Sequence, residues 1–115
     1  MKKIERKDEK RMKETLPKSI QKLILSLREK LKDEPEIVDM FERCYSNTLD
    51  TTVKKMEDGS TYVITGDIPA MWLRDSVAQL RPYLVPAQND PELADLIAGL
   101  IRRQFMCINI DPYAN

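Results

Sequence analysis

Apolar residues recur along most of this chain at helical spacing, and proline, glycine and aspartate punctuate the recurrences. The first run predicts a helix over residues 17–31. Ile20, Leu23, Ile24, Leu27 and Leu31 fall on one face, and Pro17 suits the first turn. Asp33-Glu34-Pro35 breaks the run and restarts it. A second helix is predicted over residues 35–55, with Ile37, Phe41, Cys44, Tyr45, Thr48 and Leu49 along its buried stripe. Asp58-Gly59-Ser60 is a turn signal. Residues 61–65, Thr-Tyr-Val-Ile-Thr, are β-branched and aromatic and predict a short strand or one arm of a hairpin.

An irregular link follows at Gly66-Asp67-Ile68-Pro69, where glycine frees the backbone and Pro69 disfavours helix at Ile68. A third helix starts near Met71 or Trp72. Its apolar stripe is Leu73, Val77, Leu80 and Leu84, and Pro82 kinks it or ends it near Arg81. The last helix carries the clearest boundaries. Asp90 is placed to cap it, Pro91 fits its first position, and Asp111-Pro112 stops it. Leu93, Leu96, Ile97, Leu100, Ile101, Phe105 and Ile108 form a wide apolar face. The expectation is a mainly α-helical chain with one short strand or hairpin near residues 61–65. Its helical faces are wider than four helices need, so the stripes on the third and last helices should leave some apolar surface exposed.

Composition narrows the classes. At 115 residues and 42% hydrophobic, the chain is long enough for one small domain and too apolar to be disordered throughout. Residues 1–15 read as a separate charged extension, with seven Lys and Arg against four Asp and Glu. Residues 16–115 read as the folded part. Net charge is zero, so no basic field exists to hold nucleic acid or an anionic membrane. No apolar run approaches the roughly 18 residues of a membrane span. The basic start lacks the apolar stretch of a secretory signal, so a cytoplasmic location is expected.

Histidine is absent, which excludes a Ser-His-Asp triad, a Cys-His pair and histidine zinc ligation within these residues. Cys44 and Cys107 form no CxxC motif. Their apolar neighbours predict buried free thiols. No metal and no cofactor is expected.

The chemistry concentrates at residues 65–76, Thr-Gly-Asp-Ile-Pro-Ala-Met-Trp-Leu-Arg-Asp-Ser. This loop-to-helix junction holds Trp72, the only tryptophan, together with Asp67, Arg74 and Asp75. Carboxylates accept hydrogen bonds from paired hydroxyls, a guanidinium donates through a planar fork, and an indole offers a flat apolar face. That mixture suits a sugar. The same residues also have a structural reading: Trp72 as core, Asp75 as a first-turn carboxylate favoured by the helix dipole, and Arg74 with Asp75 as an ordinary ion pair. Residue types alone leave both readings open.

The string GDIPAMWLRDS, with DGSTYVIT before it and RRQFMCINIDPYAN after it, resembles the start of the metal-independent α-mannosidases of glycoside hydrolase family 125. The resemblance covers roughly residues 17–115 and is most specific at residues 65–76. It implies an (α/α)6 barrel that removes terminal α-1,6-linked mannose from a glycan with inversion. It also implies that Trp72, Arg74 and Asp75 contact the terminal mannose, with Asp67 either contacting it or bracing the loop. The segment Asp111-Pro112-Tyr113-Ala114-Asn115 matches a family stretch near the cleft. In the family the general acid and base come from later in the chain, so no catalytic residue is assigned here and a truncated, inactive piece is expected. The alternatives are a piece of another (α/α)6-barrel glycosidase or a non-enzymatic helical module that binds a protein partner.

Overall fold

The computed structural model describes residues 16–113, so the charged extension of residues 1–15, and Ala114 and Asn115, lie outside the described residues. Two compact units divide between Asn47 and Thr48.

The first unit is a pair of helices, α1 (Lys18–Lys30) and α2 (Pro35–Asn47). Leu16, Ile20, Ile24 and Val38 are buried. Arg28 joins the helices: its guanidinium pairs with Asp39 at 2.8 Å and also with Glu42. Phe41 and Tyr45, one turn apart on α2, stack with ring centroids 4.8 Å apart.

Three sequence expectations need correction here. The buried line of α2 runs through Val38 and Ser46, while Ile37 and Cys44 are exposed. At 100° per residue Cys44 lies about 160° around the helix from Ser46, and Val38 and Ser46 share one side. Cys44 is therefore an exposed free thiol and Cys107 a half-buried one, in place of two buried ones. The helix also ends at Asn47, eight residues early. A π-helical turn, Thr48–Thr52, follows, with the Thr52 hydroxyl donating to the Thr48 carbonyl.

In the second unit the chain then forms β1 (Val53–Lys55), which pairs antiparallel with β2 (Thr61–Val63) in the register Val53–Val63, Lys54–Tyr62, Lys55–Thr61. Residues 53–55 are thus a strand and not helix. The turn between the strands has Gly59 at φ +81°, a left-handed conformation that favours glycine. Asp58 Oδ1 accepts from the Ser60 amide at 2.9 Å and the Ser60 hydroxyl at 2.6 Å. Those bonds stabilise the charged carboxylate and hold Asp58 below the usual carboxylate range, the Ser60 hydroxyl contributing most.

Helix α3 (Leu73–Leu80) runs into a 3-10 turn (Arg81–Tyr83) and a single helical turn, α4 (Leu84–Ala87), so Pro82 interrupts the helix where its missing amide predicts. Ser76, Leu80 and Tyr83 are buried, whereas Leu73, Val77 and Leu84 are exposed. The buried line of α3 is thus Ser76–Leu80, one step from the apolar stripe read from sequence. Periodicity shows which face is apolar; it does not show which face meets a neighbour within these residues. Burial pushes the Tyr83 phenol above its ordinary value, against the opposing pull of its hydrogen bond with Thr48.

Helix α5 (Pro91–Ile110) packs on β2 and α4. Leu93 and Leu100 are buried, while Ile101, Phe105 and Ile108 stay exposed, as the surplus of apolar stripe predicts. The Thr61 hydroxyl donates to the Leu96 carbonyl at 2.6 Å and Arg102 donates to the Gly59 carbonyl at 3.0 Å, tying hairpin to helix. Asp90 caps α5 by accepting from the Leu93 amide at 3.1 Å. Replacing Asp90 with alanine leaves that amide without its partner and should cost about 1 kcal/mol. Chemical denaturation of the two proteins checks this, and equal midpoints would refute the cap.

Candidate functional site

Beyond the Ile64 amide, which donates to the Thr52 carbonyl at 2.8 Å, the junction at residues 64–76 is held largely by side chains. Thr65 clasps its loop: its hydroxyl donates to the Ala70 carbonyl at 3.0 Å and accepts from the Trp72 amide at 3.1 Å. Inside the clasp the Ala70 amide reaches the Ile68 carbonyl at 2.8 Å. Met71 Sδ accepts from the Val63 amide at 3.5 Å, and Gln79 donates to the Ile64 carbonyl at 3.1 Å. Loop, strand and helix are thereby fixed to one another over a stretch that periodicity leaves irregular.

Trp72 is the N-cap residue of α3, in extended conformation and with no side-chain cap of its own. Its side chain is not core: Trp72 is 39% exposed. The Arg74 side chain is 98% exposed and that of Asp75 47%, and Arg74 Nε lies 3.8 Å from Asp75 Oδ1. An exposed pair at that distance contributes little to stability, so these charges are available to a ligand at small structural expense. Asp75 also sits in the first turn of α3, where the helix dipole favours a carboxylate. The structure thus brings Trp72, Arg74 and Asp75 together on one exposed helix start. Asp67 lies in the exposed bend that Thr65 encloses. Asp111 is exposed at the end of α5, where its carboxylate accepts from the Tyr113 amide at 3.0 Å.

Sequence reading missed the groups that hold this platform. Ser76 is fully buried and donates to the Leu73 carbonyl at 2.9 Å. Gln104, from α5, reaches both Leu73 and Ser76. The burial of Ser76 is set by its neighbours in the fold, so no signal in the sequence pointed to such a partner. An apolar groove of about 290 Å3 lies beside the platform, lined by Val77, Leu80, Leu84, Leu100, Ile101 and Gln104 among others; Asp67, Trp72, Arg74 and Asp75 do not line it. Among the described residues no three His, Cys, Asp or Glu side chains are grouped to hold a metal ion, and no helix is long and apolar enough to cross a membrane.

Comparison with known proteins bears on what such a platform serves. Residues 34–115 match the family model described as metal-independent alpha-mannosidase (GH125). The chain is 45% identical over 102 residues to the meiotically up-regulated gene 157 protein of Schizosaccharomyces pombe, a match spanning 85% of this chain and 20% of that protein. It is also similar to a solved structure of a metal-independent α-mannosidase from Streptococcus pneumoniae, in a non-productive substrate complex with α-1,6-mannobiose. The identity there is 58% and the TM-score 0.78, over 84% of this chain and 23% of that one. The chain therefore spans about a fifth of the length of these relatives. A family match over most of the chain, joined to a shared fold at high identity, shows that it belongs to the GH125 family of metal-independent α-mannosidases.

Proposed function

We propose that this segment forms part of the terminal-mannose subsite of an inverting exo-α-1,6-mannosidase built on an (α/α)6 barrel. The observation that carries the reading is the exposed grouping of Trp72, Arg74 and Asp75 on a helix start held from two sides. The indole supplies a flat apolar face for the C–H groups of a pyranose and a donor at its edge. The Asp75 carboxylate accepts from sugar hydroxyls, and Arg74 donates to the sugar or orients a neighbouring carboxylate. Asp67 braces the loop or adds a contact from the bend. The α-1,6-mannobiose held by the pneumococcal relative supports an α-1,6-linked mannose glycan as the ligand.

Inversion requires a general acid and a general base roughly 6.5–9.5 Å apart on opposite sides of the glycosidic bond. In this reading neither Asp67 nor Asp75 is one of them; both belong to binding, and the catalytic carboxylates come from other parts of the family's longer chain. The reaction also needs no metal here, since protonation and water activation fall to carboxylates.

The expected result is that the purified 115-residue chain releases no mannose from α-1,6-mannobiose, with or without added divalent cations. Release above buffer that survives repurification would overturn the placement of the catalytic carboxylates outside these residues.

A further inference from the structure

Gln104 lies on α5, 31 residues beyond Leu73, and its side-chain amide crosses to the start of α3. Nε2 is 3.2 Å from the Leu73 carbonyl oxygen and 3.0 Å from Ser76 Oγ. The Ser76 hydroxyl itself donates to the same Leu73 carbonyl at 2.9 Å. The three groups close a small ring inside the first turn of α3. On the loop side of that turn, the Trp72 amide is held by the Thr65 hydroxyl at 3.1 Å, and the Trp72 carbonyl accepts the Ser76 amide at 2.9 Å. Trp72 has no capping side chain, and Arg74 and Asp75 reach into solvent. Among the described residues, Gln104 is what holds this turn from the α5 side.

We propose that Gln104 is a positioning residue: its amide donor locks the first turn of α3 and so sets the orientation of Trp72 and Asp75 as a sugar platform. The claim rests on the mannose-binding reading for its purpose, and on the hydrogen-bond ring for its mechanism. A sugar platform gains from rigidity because a side chain already held in its binding position loses less freedom when ligand arrives. Gln104 is suited to the task because one NH2 group serves two acceptors, the Leu73 carbonyl and the Ser76 oxygen. A glutamate of the same shape has no proton for Leu73 at neutral pH. A methionine of similar length fills the space without a donor.

Trp72 is the sole tryptophan, so its fluorescence reports on this turn alone. The experiment uses the full 115-residue chain, as wild type, Gln104→Glu, Gln104→Met and Ser76→Ala. Acrylamide quenching of Trp72 should rise about twofold in both Gln104 variants, and amide exchange at Ser76 should quicken about fivefold, as loss of a typical hydrogen bond implies. Exchange near Leu93 should stay as in wild type, and the melting temperature should fall by no more than several degrees. Ser76→Ala removes one acceptor without adding volume, and should shift both readouts the same way by less. Wild-type behaviour in Gln104→Glu would show that only the shape of residue 104 matters and would overturn the proposal. Faster exchange throughout α5 would overturn it as well, by showing a general loss of stability. Adding α-1,6-mannobiose to the same samples separates the two claims. A wild-type chain whose Trp72 ignores the sugar counts against the mannose reading, while the quenching and exchange results still decide the role of Gln104.

Discussion

Gly99→Ala should destabilise the second unit by about 3 kcal/mol, although alanine is the better helix former. The two opposing effects can be weighed. Gly99 lies in the interior of α5, where replacing glycine by alanine gains about 1 kcal/mol of helix propensity. It is also buried against the hairpin, and a Cβ there would stand 2.6 Å from Thr61 Oγ1, 3.0 Å from the Gly59 carbonyl oxygen and 3.1 Å from the Thr61 amide nitrogen. Two of those neighbours are backbone atoms. The third is a short β-branched side chain, fully buried and already bonded to the Leu96 carbonyl. None of the three can swing aside. Helix and strand must separate, at about 1–3 kcal/mol for overpacking. Separation also strains the Thr61–Leu96 hydrogen bond, and an orphaned buried hydroxyl costs about 1–3 kcal/mol more. For a unit of this size the melting temperature should fall by roughly 10–20 °C. Thr61→Ala removes the nearest obstructing atom, so the double variant should lose less than the sum of the two single losses. A Gly99→Ala protein that melts higher than wild type would mean that α5 and β2 do not approach as closely as described.

That glycine illustrates what the sequence makes legible and what it leaves out. Local backbone chemistry was readable. Pro91 and Asp90 opened α5, Asp111-Pro112 closed it, Pro82 broke α3, and Asp58-Gly59-Ser60 turned the hairpin. Each is a property of one to three residues and needs no partner. Information held by two distant segments was not readable. Val53–Lys55 has one apolar residue in three, and becomes a strand because β2 supplies its hydrogen bonds. The stripes that periodicity predicts on α2 and α3 are buried only in part, at Leu80 and partly at Phe41 and Tyr45, because the burying neighbour, not the pattern, selects the face. Leu73 and Val77 on α3, and Leu84 on α4, stay exposed among the described residues. The platform itself stood out through its concentration of Trp, Arg and Asp. Its supports did not, since Thr65, Gln79 and Gln104 act through isolated side-chain hydrogen bonds to other segments that leave no periodic trace.

The functional assignment is most exposed at Asp75, where loss of the charge should lower kcat/KM at least about tenfold. The measurement needs an enzyme that turns over, such as the pneumococcal relative carrying residues 16–113 of this chain in place of its matched stretch, across which the two are 58% identical. Asp75→Asn keeps the shape of the side chain and removes its charge. A hydrogen bond to a charged group contributes about 1.5–3 kcal/mol, which corresponds to roughly one to two powers of ten in rate. If the sugar hydroxyls bind Asp75 equally in the ground state and the transition state, the loss appears in KM. If the bond tightens as the ring flattens towards the oxocarbenium ion, it appears in kcat. The structural roles open to Asp75 are smaller. A first-turn carboxylate interacts with the helix dipole by about 0.3–1 kcal/mol. The contact with Arg74, at 3.8 Å and with the arginine almost wholly in solvent, adds next to nothing. Stability should therefore fall by less than about 1 kcal/mol, a few degrees of melting at most. The two accounts diverge in which observable moves. A large loss of kcat/KM with nearly unchanged melting places Asp75 against the sugar. Unchanged kcat/KM with a lowered melting temperature would return it to the helix start as a structural carboxylate, and the mannose-binding reading of this turn would then rest on Trp72 and Arg74 alone.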